Sequence, residues 1–146
     1  MVTILLYIAT SIDGYIATKD GGVEWLSVVD GSGSDYGYHA FYDSVDALIM
    51  GSKTYQQVLD FGEWPYPGKP SYVFTRQALK SSRDDVIFVS EAPLDLIPRL
   101  EAEGMKRIWM VGGAEILASF IKVGLIDEYI ISIVPILLGE GIPLFK

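Results

Sequence analysis

Two short apolar runs, ALIM at 47–50 and IWMV at 108–111, each end at glycine and pass directly into a stretch with helical patterning, SKTYQQV and AEILASF. Few folds accept that arrangement. An apolar run without polar alternation reads as a strand covered on both faces. Glycine at its end lets the backbone turn sharply and lets another molecule approach the main chain closely. The helix that opens there offers unpaired N–H groups and a partial positive charge, and both favour a phosphate. Taken alone, the Gly112-Gly113 junction is equally consistent with a tight strand-to-helix turn that binds nothing.

The rest of the chain repeats the pattern. Apolar, β-branched segments predict strands over 2–9, 71–75, 86–89 and 128–134, beside those at 47–50 and 107–111. Helical spacing predicts helices over roughly 35–44, 53–59 and 114–122. A fourth helix is placed from about Leu96 to Gly104, because Pro98 lacks a donor and fits best in a first turn. The stretch 19–37 holds five glycines and reads mostly as loop, as does EWPYPGKP. Alternating strand and helix argues for an open, largely parallel sheet with helices on both faces. Ligands on such sheets bind at the carboxyl ends of the strands, where the strand order reverses.

The 146 residues suffice for one domain with one sizeable core, and half of them are hydrophobic. The sequence has no cysteine, which excludes disulfides, zinc–thiolate sites and cysteine nucleophiles and makes a reducing cytoplasm the natural location. The net charge of −8 disfavours a nucleic-acid partner. No carboxylate–histidine spacing suggests a metal. The N-terminal ILLYIA run lacks a basic flank, and YIISIVPILLG is too short to cross a bilayer and contains Pro135, so no membrane partner is expected.

The DALIMGSKTYQQV junction is not a P-loop, because the first glycine and the spacing are missing. Two such junctions can nevertheless clamp the two phosphates of a dinucleotide from opposite sides. A third strand end, YVFTRQ, carries Thr75 and Arg76, and arginine there can fork onto a phosphate or simply be a solvated surface residue.

Five stretches together resemble the dihydrofolate reductase superfamily, and more closely the reductase domain of the riboflavin-biosynthesis deaminase-reductases and their stand-alone relatives. They are SIDGYIA (11–17), DALIMGSKTY (46–55), PGKPSYVFTR (67–76), IWMVGGAEIL (108–117) and VPILLGEGIPLF (134–145), in the family's order. The resemblance implies a dihydrofolate-reductase-like three-layer αβα sandwich with a mostly parallel central sheet, and an NADPH-dependent reductase. It implies that Gly51, Ser52, Lys53 and Thr54 form the first phosphate-binding turn. Gly112, Gly113, Ala114, Glu115 and Ile116 match the pyrophosphate turn. Thr75 and Arg76 match the adenosine ribose and 2′-phosphate site. Ala9, Ile16 and Ala17 match the nicotinamide pocket, and Phe74, Ser90 and Val111 complete the implied cofactor set. Ser52 and Glu115 stand where many dihydrofolate reductases carry arginines, which leaves Lys53 and Arg76 to favour NADPH over NADH.

Asp35 lies sixteen residues before Gly51, the spacing of the pterin-holding acid in dihydrofolate reductases. Reduction of a C=N bond needs its nitrogen protonated or hydrogen-bonded, and a carboxylate in an apolar cleft supports this. Ser34 and Asp35 are equally good helix-capping residues. Asp13, in SIDG, resembles an acidic position beside the substrate in the riboflavin branch and is also a turn former before Gly14. His39, the single histidine, reads as a bystander on the first helix, and Trp25, Trp64 and Trp109 read as packing residues. The implied function is reduction of a heterocycle of the 5-amino-6-(5-phosphoribosylamino)uracil type. Dihydrofolate reduction and a non-catalytic nucleotide-binding protein are the alternatives. The resemblance further implies one reductase domain over 1–146 and a homodimer formed through the apolar carboxy-terminal region. Relatives continue into closing antiparallel strands that are either absent here or lie beyond Lys146.

Overall fold

The computed structural model describes residues 1–32 and 35–146. Six parallel strands form the central sheet: β1 (Thr3–Thr10), β3 (Ala47–Gly51), β4 (Ser71–Phe74), β5 (Val86–Val89), β6 (Arg107–Gly112) and β7 (Glu128–Ile133). Their spatial order is β5-β4-β3-β6-β1-β7. Two short strands, β2 (Tyr15–Ala17) and β8 (Ile142–Pro143), pair antiparallel as a separate ribbon. The helices are α1 (Tyr38–Ser44), α2 (Ser52–Leu59), α3 (Pro93–Ala102) and α4 (Ala114–Lys122), and a 3-10 helix spans Glu24–Ser32.

Alternation along the strands divides the core into two layers. Ile4, Leu6, Ala47, Ile49, Tyr72, Ile108 and Met110 pack under Leu96 and Leu100 of α3 and Leu117 and Phe120 of α4. Leu5, Leu48, Met50, Val73 and Trp109 pack on the other face under Phe41 of α1 and Tyr55 of α2. The sheet is therefore the middle layer of an αβα sandwich, as the resemblance implies. The apolar runs of β3 and β6 follow from it, since both of their faces are covered. Truncating a fully buried anchor such as Phe120 costs about 3–5 kcal/mol in such cores.

The strand order fixes where a ligand can enter. From β3 the chain runs through α2 to β4 and β5 on one side. From β6 it runs through α4 across β1 to β7 on the other. The direction reverses between β3 and β6, so α2 and α4 leave adjacent strand ends toward opposite faces of the sheet. The opposite strand ends are pinned by carboxylates. Asp46 accepts the N–H groups of Lys106 and Arg107 at 2.8 and 3.0 Å, and Asp127 accepts that of Ile4 at 2.8 Å.

Three expectations need correction. Helix α3 begins at Pro93, three residues before Leu96, and carries Pro98 in its interior. The carbonyl that Pro98 leaves without a donor is that of Leu94, a residue 55% exposed and so served by water. Burial of Leu96 and Leu100 outweighs the lost bond. Helix α1 begins at Tyr38, not near residue 35, because Tyr36 and Gly37 take left-handed φ values of 53° and 84°. Part of the stretch 19–37 is 3-10 helical, not loop. Ser34, a cap candidate, lies outside the described residues.

Candidate cofactor and substrate site

The two strand–glycine–helix junctions stand side by side. Met50 of β3 pairs with Gly112 of β6 across a register shift, so both carboxyl ends open on the same crevice. Gly51 and Gly113 are the residues immediately before α2 and α4, and neither supplies a side-chain cap. The first N–H groups of both helices thus face the crevice without a side-chain acceptor from the cap residue. The Gly112–Gly113 peptide is cis.

Both glycines are close-approach positions. A Cβ on Gly113 would stand 3.3 Å from Thr54 Oγ1, and one on Gly51 would stand 3.5 Å from Ile116 Cγ2. The main chain of each junction therefore lies against the first turn of the other's helix, in a gap that a side chain would fill. This is the geometry needed to bring backbone N–H groups onto a pyrophosphate from both sides. Lys53 Nζ lies 3.9 Å from Glu115 Oε1 across the gap, and Lys146 Nζ lies 3.5 Å from the same oxygen. Glu115 is thus partly neutralised where an anion would enter.

The expected adenosine-side residues sit at neighbouring strand ends. Phe74 closes β4, and Thr75 follows with its N–H bonded to Val89 O at 3.0 Å. Thr75 Oγ1 accepts the Gln77 N–H at 3.0 Å, which turns the chain just after Arg76. Arg76 is exposed and has no ion-pair partner among the described residues. Ser90 directly follows β5 and is exposed. The two helix starts and the gap between Gly51, Thr54, Gly113 and Ile116 could hold a dinucleotide phosphate chain, with Ser52, Lys53, Gly112, Ala114 and Glu115 beside it.

On the α1 side the wall is aromatic. Tyr7 packs on the same core layer as Leu5, so by alternation Ala9 also faces α1. The Tyr7 ring stacks on Phe41 at 4.1 Å and lies 6.2 Å from Tyr38 and from Trp109. Val111 packs against the same layer. Tyr38 is half-buried among Tyr42 and Tyr7, and burial pushes its hydroxyl up to about 12. Gln57 Nε2 donates to Gly21 O at 2.7 Å, tying the 18–22 turn onto α2. Trp109 Nε1 donates to Tyr7 O at 3.0 Å, whereas Trp25 Nε1 is buried without a partner among the described residues. Ile16 packs on the opposite core layer and Ala17 is buried, with β2 folded back beside β1 through Ser11 N–H to Tyr15 O at 2.9 Å.

The two acidic candidates are placed differently. Asp13 accepts the Ser11 hydroxyl at 2.6 Å and the N–H groups of Leu138 and Gly139 at 3.2 and 2.8 Å. The Ser11 hydroxyl chiefly holds its carboxyl below the ordinary value, against desolvation, and the Gly139 and Leu138 amides add smaller lowering contributions. Its oxygens lace the SIDG turn to the 138–139 loop. Asp35 accepts the N–H groups of Gly37 and His39 at 3.0 and 3.2 Å, and its Oδ2 lies 2.6 Å from His39 Nδ1. The His39 contact first, then the two amides, lower its pKa. Asp35 therefore braces the start of α1 and also engages the single histidine. The sequence reading treated His39 as a bystander; the i, i+4 spacing of Asp35 and His39 was the signal that pairs them. Tyr7 was also missed, although it stands two residues before Ala9 on the same strand face. Among the described residues no cluster could hold a metal ion, and no helix is long and apolar enough to cross a membrane.

A sandwich of this order, with its crevice between two glycine-opened helices, is a dihydrofolate-reductase-like domain. More narrowly, the chain belongs to the RibD C-terminal domain family, whose profile matches residues 2–146. It is 43% identical over 142 residues to the uncharacterized protein YwjB of Bacillus subtilis (strain 168), covering 97% of this chain and 81% of that one. The crystal structure of a putative riboflavin biosynthesis protein from Shewanella sp. PV-4 superposes with a TM-score of 0.90 at 39% identity, over 99% of this chain and 83% of that one. A diaminohydroxyphosphoribosylaminopyrimidine deaminase/5-amino-6-(5-phosphoribosylamino)uracil reductase from Thermotoga maritima shares the fold, with a TM-score of 0.69 at 15% identity. The match covers 98% of this chain and 47% of that one.

Proposed function

We propose that this protein is an NADPH-dependent reductase that transfers hydride to a heterocyclic substrate of the 5-amino-6-(5-phosphoribosylamino)uracil type. The observation that carries the reading is the pairing of the β3 and β6 junctions at the point where strand order reverses. In this reading the helix starts after Gly51 and Gly113 hold the pyrophosphate. Arg76 meets the 2′-phosphate, and Ala9, Ile16 and Ala17 border the nicotinamide. When bound, the dihydronicotinamide supplies a hydride. The aromatic wall of Tyr7 and Tyr38 holds the pyrimidine ring of the substrate beside Ala9 and keeps water from that face, while the negative charge of Asp35 at the start of α1 favours a protonated nitrogen at the C=N bond that takes the hydride.

The test is NADPH oxidation, followed at the nicotinamide absorbance, with 5-amino-6-(5-phosphoribosylamino)uracil and with dihydrofolate. Turnover of the first alone supports the proposal. Turnover of dihydrofolate alone moves the assignment to a dihydrofolate reductase, the reading favoured by the sixteen-residue spacing of Asp35 and Gly51. Binding of NADPH without oxidation by either marks a nucleotide-binding protein that kept the fold and lost the chemistry.

The same reading includes a homodimer. Among the described residues edge strand β7 pairs only with β1, and Ile133 at its end and Leu137 four residues beyond are 65% and 68% exposed. An open apolar edge of this kind favours pairing with a second copy. Light scattering at micromolar concentration should give twice the monomer mass, and a monomer mass would refute it.

A further inference from the structure

We propose that Asp35 and His39 work as a pair, with Asp35 the positioning residue and His39 Nε2 the donor of the proton that accompanies hydride transfer. The proposal rests on the reductase reading above and adds to it the identity of the proton donor.

The pair is built, not incidental. Asp35 is held at both oxygens, Oδ1 by the Gly37 N–H at 3.0 Å and Oδ2 by the His39 N–H at 3.2 Å, so its direction is set by the backbone. The left-handed φ of 53° at Tyr36, uncommon for a residue with a side chain, swings Asp35 back over the first turn of α1. Bracing that turn needs only the backbone bonds. The additional contact of Oδ2 with His39 Nδ1, at 2.6 Å, is not required for it. Its consequence is chemical. A carboxylate facing Nδ1 keeps a proton there, so the second ionisable position of the ring is Nε2, which points away from the pair.

The pair is also fastened to the expected substrate wall. The Tyr7 hydroxyl donates to Tyr36 O at 3.4 Å, joining the bend to the strand that carries Ala9. The Tyr38 ring stands edge-on to the His39 ring at 5.9 Å and 6.2 Å from the Tyr7 ring. The His39 side chain is 83% exposed, so once it has given up a proton, solvent can return one.

The step balances. Opening of the ribose ring of the substrate's ribosylamine, with the N–H proton passing to the ring oxygen, gives a C=N bond between C1′ and the exocyclic nitrogen, and the carbon of that bond receives a hydride with its electron pair. The π electrons go to nitrogen, which takes the Nε2 proton of the imidazolium. The products are an amine with new C–H and N–H bonds, oxidised nicotinamide and neutral imidazole bearing its proton on Nδ1.

Because His39 is the only histidine, its ring can be read without ambiguity in untagged, 15N-labelled protein. Long-range 1H–15N spectra of the neutral ring should show the Nδ1–H form in the wild type, and a shift toward Nε2–H in Asp35→Asn. Saturating NADPH, with binding followed separately by tryptophan quenching, should move the His39 resonances. An Nε2–H ring in the wild type, or His39 signals unmoved while NADPH is bound, overturns the proposal. Absence of NADPH binding overturns the reductase reading itself, and the proposal with it. With 5-amino-6-(5-phosphoribosylamino)uracil as probe, His39→Gln should lower kcat by roughly 100-fold or more while KM stays within about threefold. Asp35→Asn combined with His39→Gln should be no slower than the slower single variant, since the two act as a unit. Unchanged kcat in His39→Gln with normal wild-type turnover also overturns it.

Discussion

Replacing Gly113 by alanine or valine separates a ligand-binding glycine from a structural one. The φ of Gly112 is 116°, which a residue with a Cβ adopts only under strain, so Gly112→Ala should destabilise the fold by about 1–3 kcal/mol. Gly113 has a φ of −77°, open to any residue. A methyl there meets only Thr54 Oγ1, at 3.3 Å, and a small rotation of that side chain relieves the contact. Gly113→Ala should therefore change stability by no more than about 1 kcal/mol. Its methyl nevertheless occupies the gap between the starts of α2 and α4, where phosphate oxygens must reach backbone N–H groups. Losing two charge-assisted bonds of about 1.5–3 kcal/mol each amounts to about 3–6 kcal/mol, or roughly 10²–10⁴-fold in Kd. Valine, with two more carbons, should abolish binding. Thermal melting reads stability and calorimetric titration with NADPH reads affinity. A Gly113→Val protein that melts near the wild type and binds NADPH within about threefold of it would refute the placement of the phosphates at this junction.

Arg76→Ala should weaken NADPH by roughly 10- to 150-fold, the equivalent of about 1.5–3 kcal/mol, and leave NADH nearly unchanged. Equal losses for both nucleotides mean that Arg76 does not read the 2′-phosphate. Asp35→Asn should lower turnover by roughly 10²–10⁴-fold with NADPH affinity within about threefold, whereas a purely capping Asp35 predicts little change in either. Asp46 is held below its ordinary pKa chiefly by the Arg107 and Lys106 amides. Its contribution is thus present above the unfolded carboxylate value, about 3.9, and is lost as pH falls through the lower folded value. Asp46→Ala should cost about 1–2 kcal/mol at pH 7, discounted for exposure, and flatten the acid limb of a melting-temperature profile. An unchanged acid limb would remove Asp46 from the account.

Much of this was legible because the decisive elements are local. The runs ALIM and IWMV, each stopped by glycine, placed β3 and β6 and the starts of α2 and α4, since a strand covered on both faces leaves no other pattern. Alternation then predicted the parallel sheet. What escaped depends on long-range partners. The ribbon of β2 and β8 joins residues more than a hundred apart in sequence, with two or three residues per strand and no periodicity to read. The start of α3 was misplaced because Pro98 is a strong local signal, yet burial of Leu96 and Leu100 overrules it. The role of Asp13 in bracing the 138–139 loop is likewise a contact across the chain. The Asp35–His39 contact spans only four residues and was readable in principle. The left-handed turn at Tyr36, which aims Asp35 at the ring, was not.

The most direct test of a nicotinamide-dependent reductase is calorimetric titration of the protein with NADPH. The crevice between α2 and α4 predicts one site per chain with a Kd in the range of about 1 μM to 1 mM typical of enzyme ligands, and weaker binding of NADH. No heat of binding for either nucleotide at millimolar concentration, from a protein shown to be folded by its melting transition, would contradict the account.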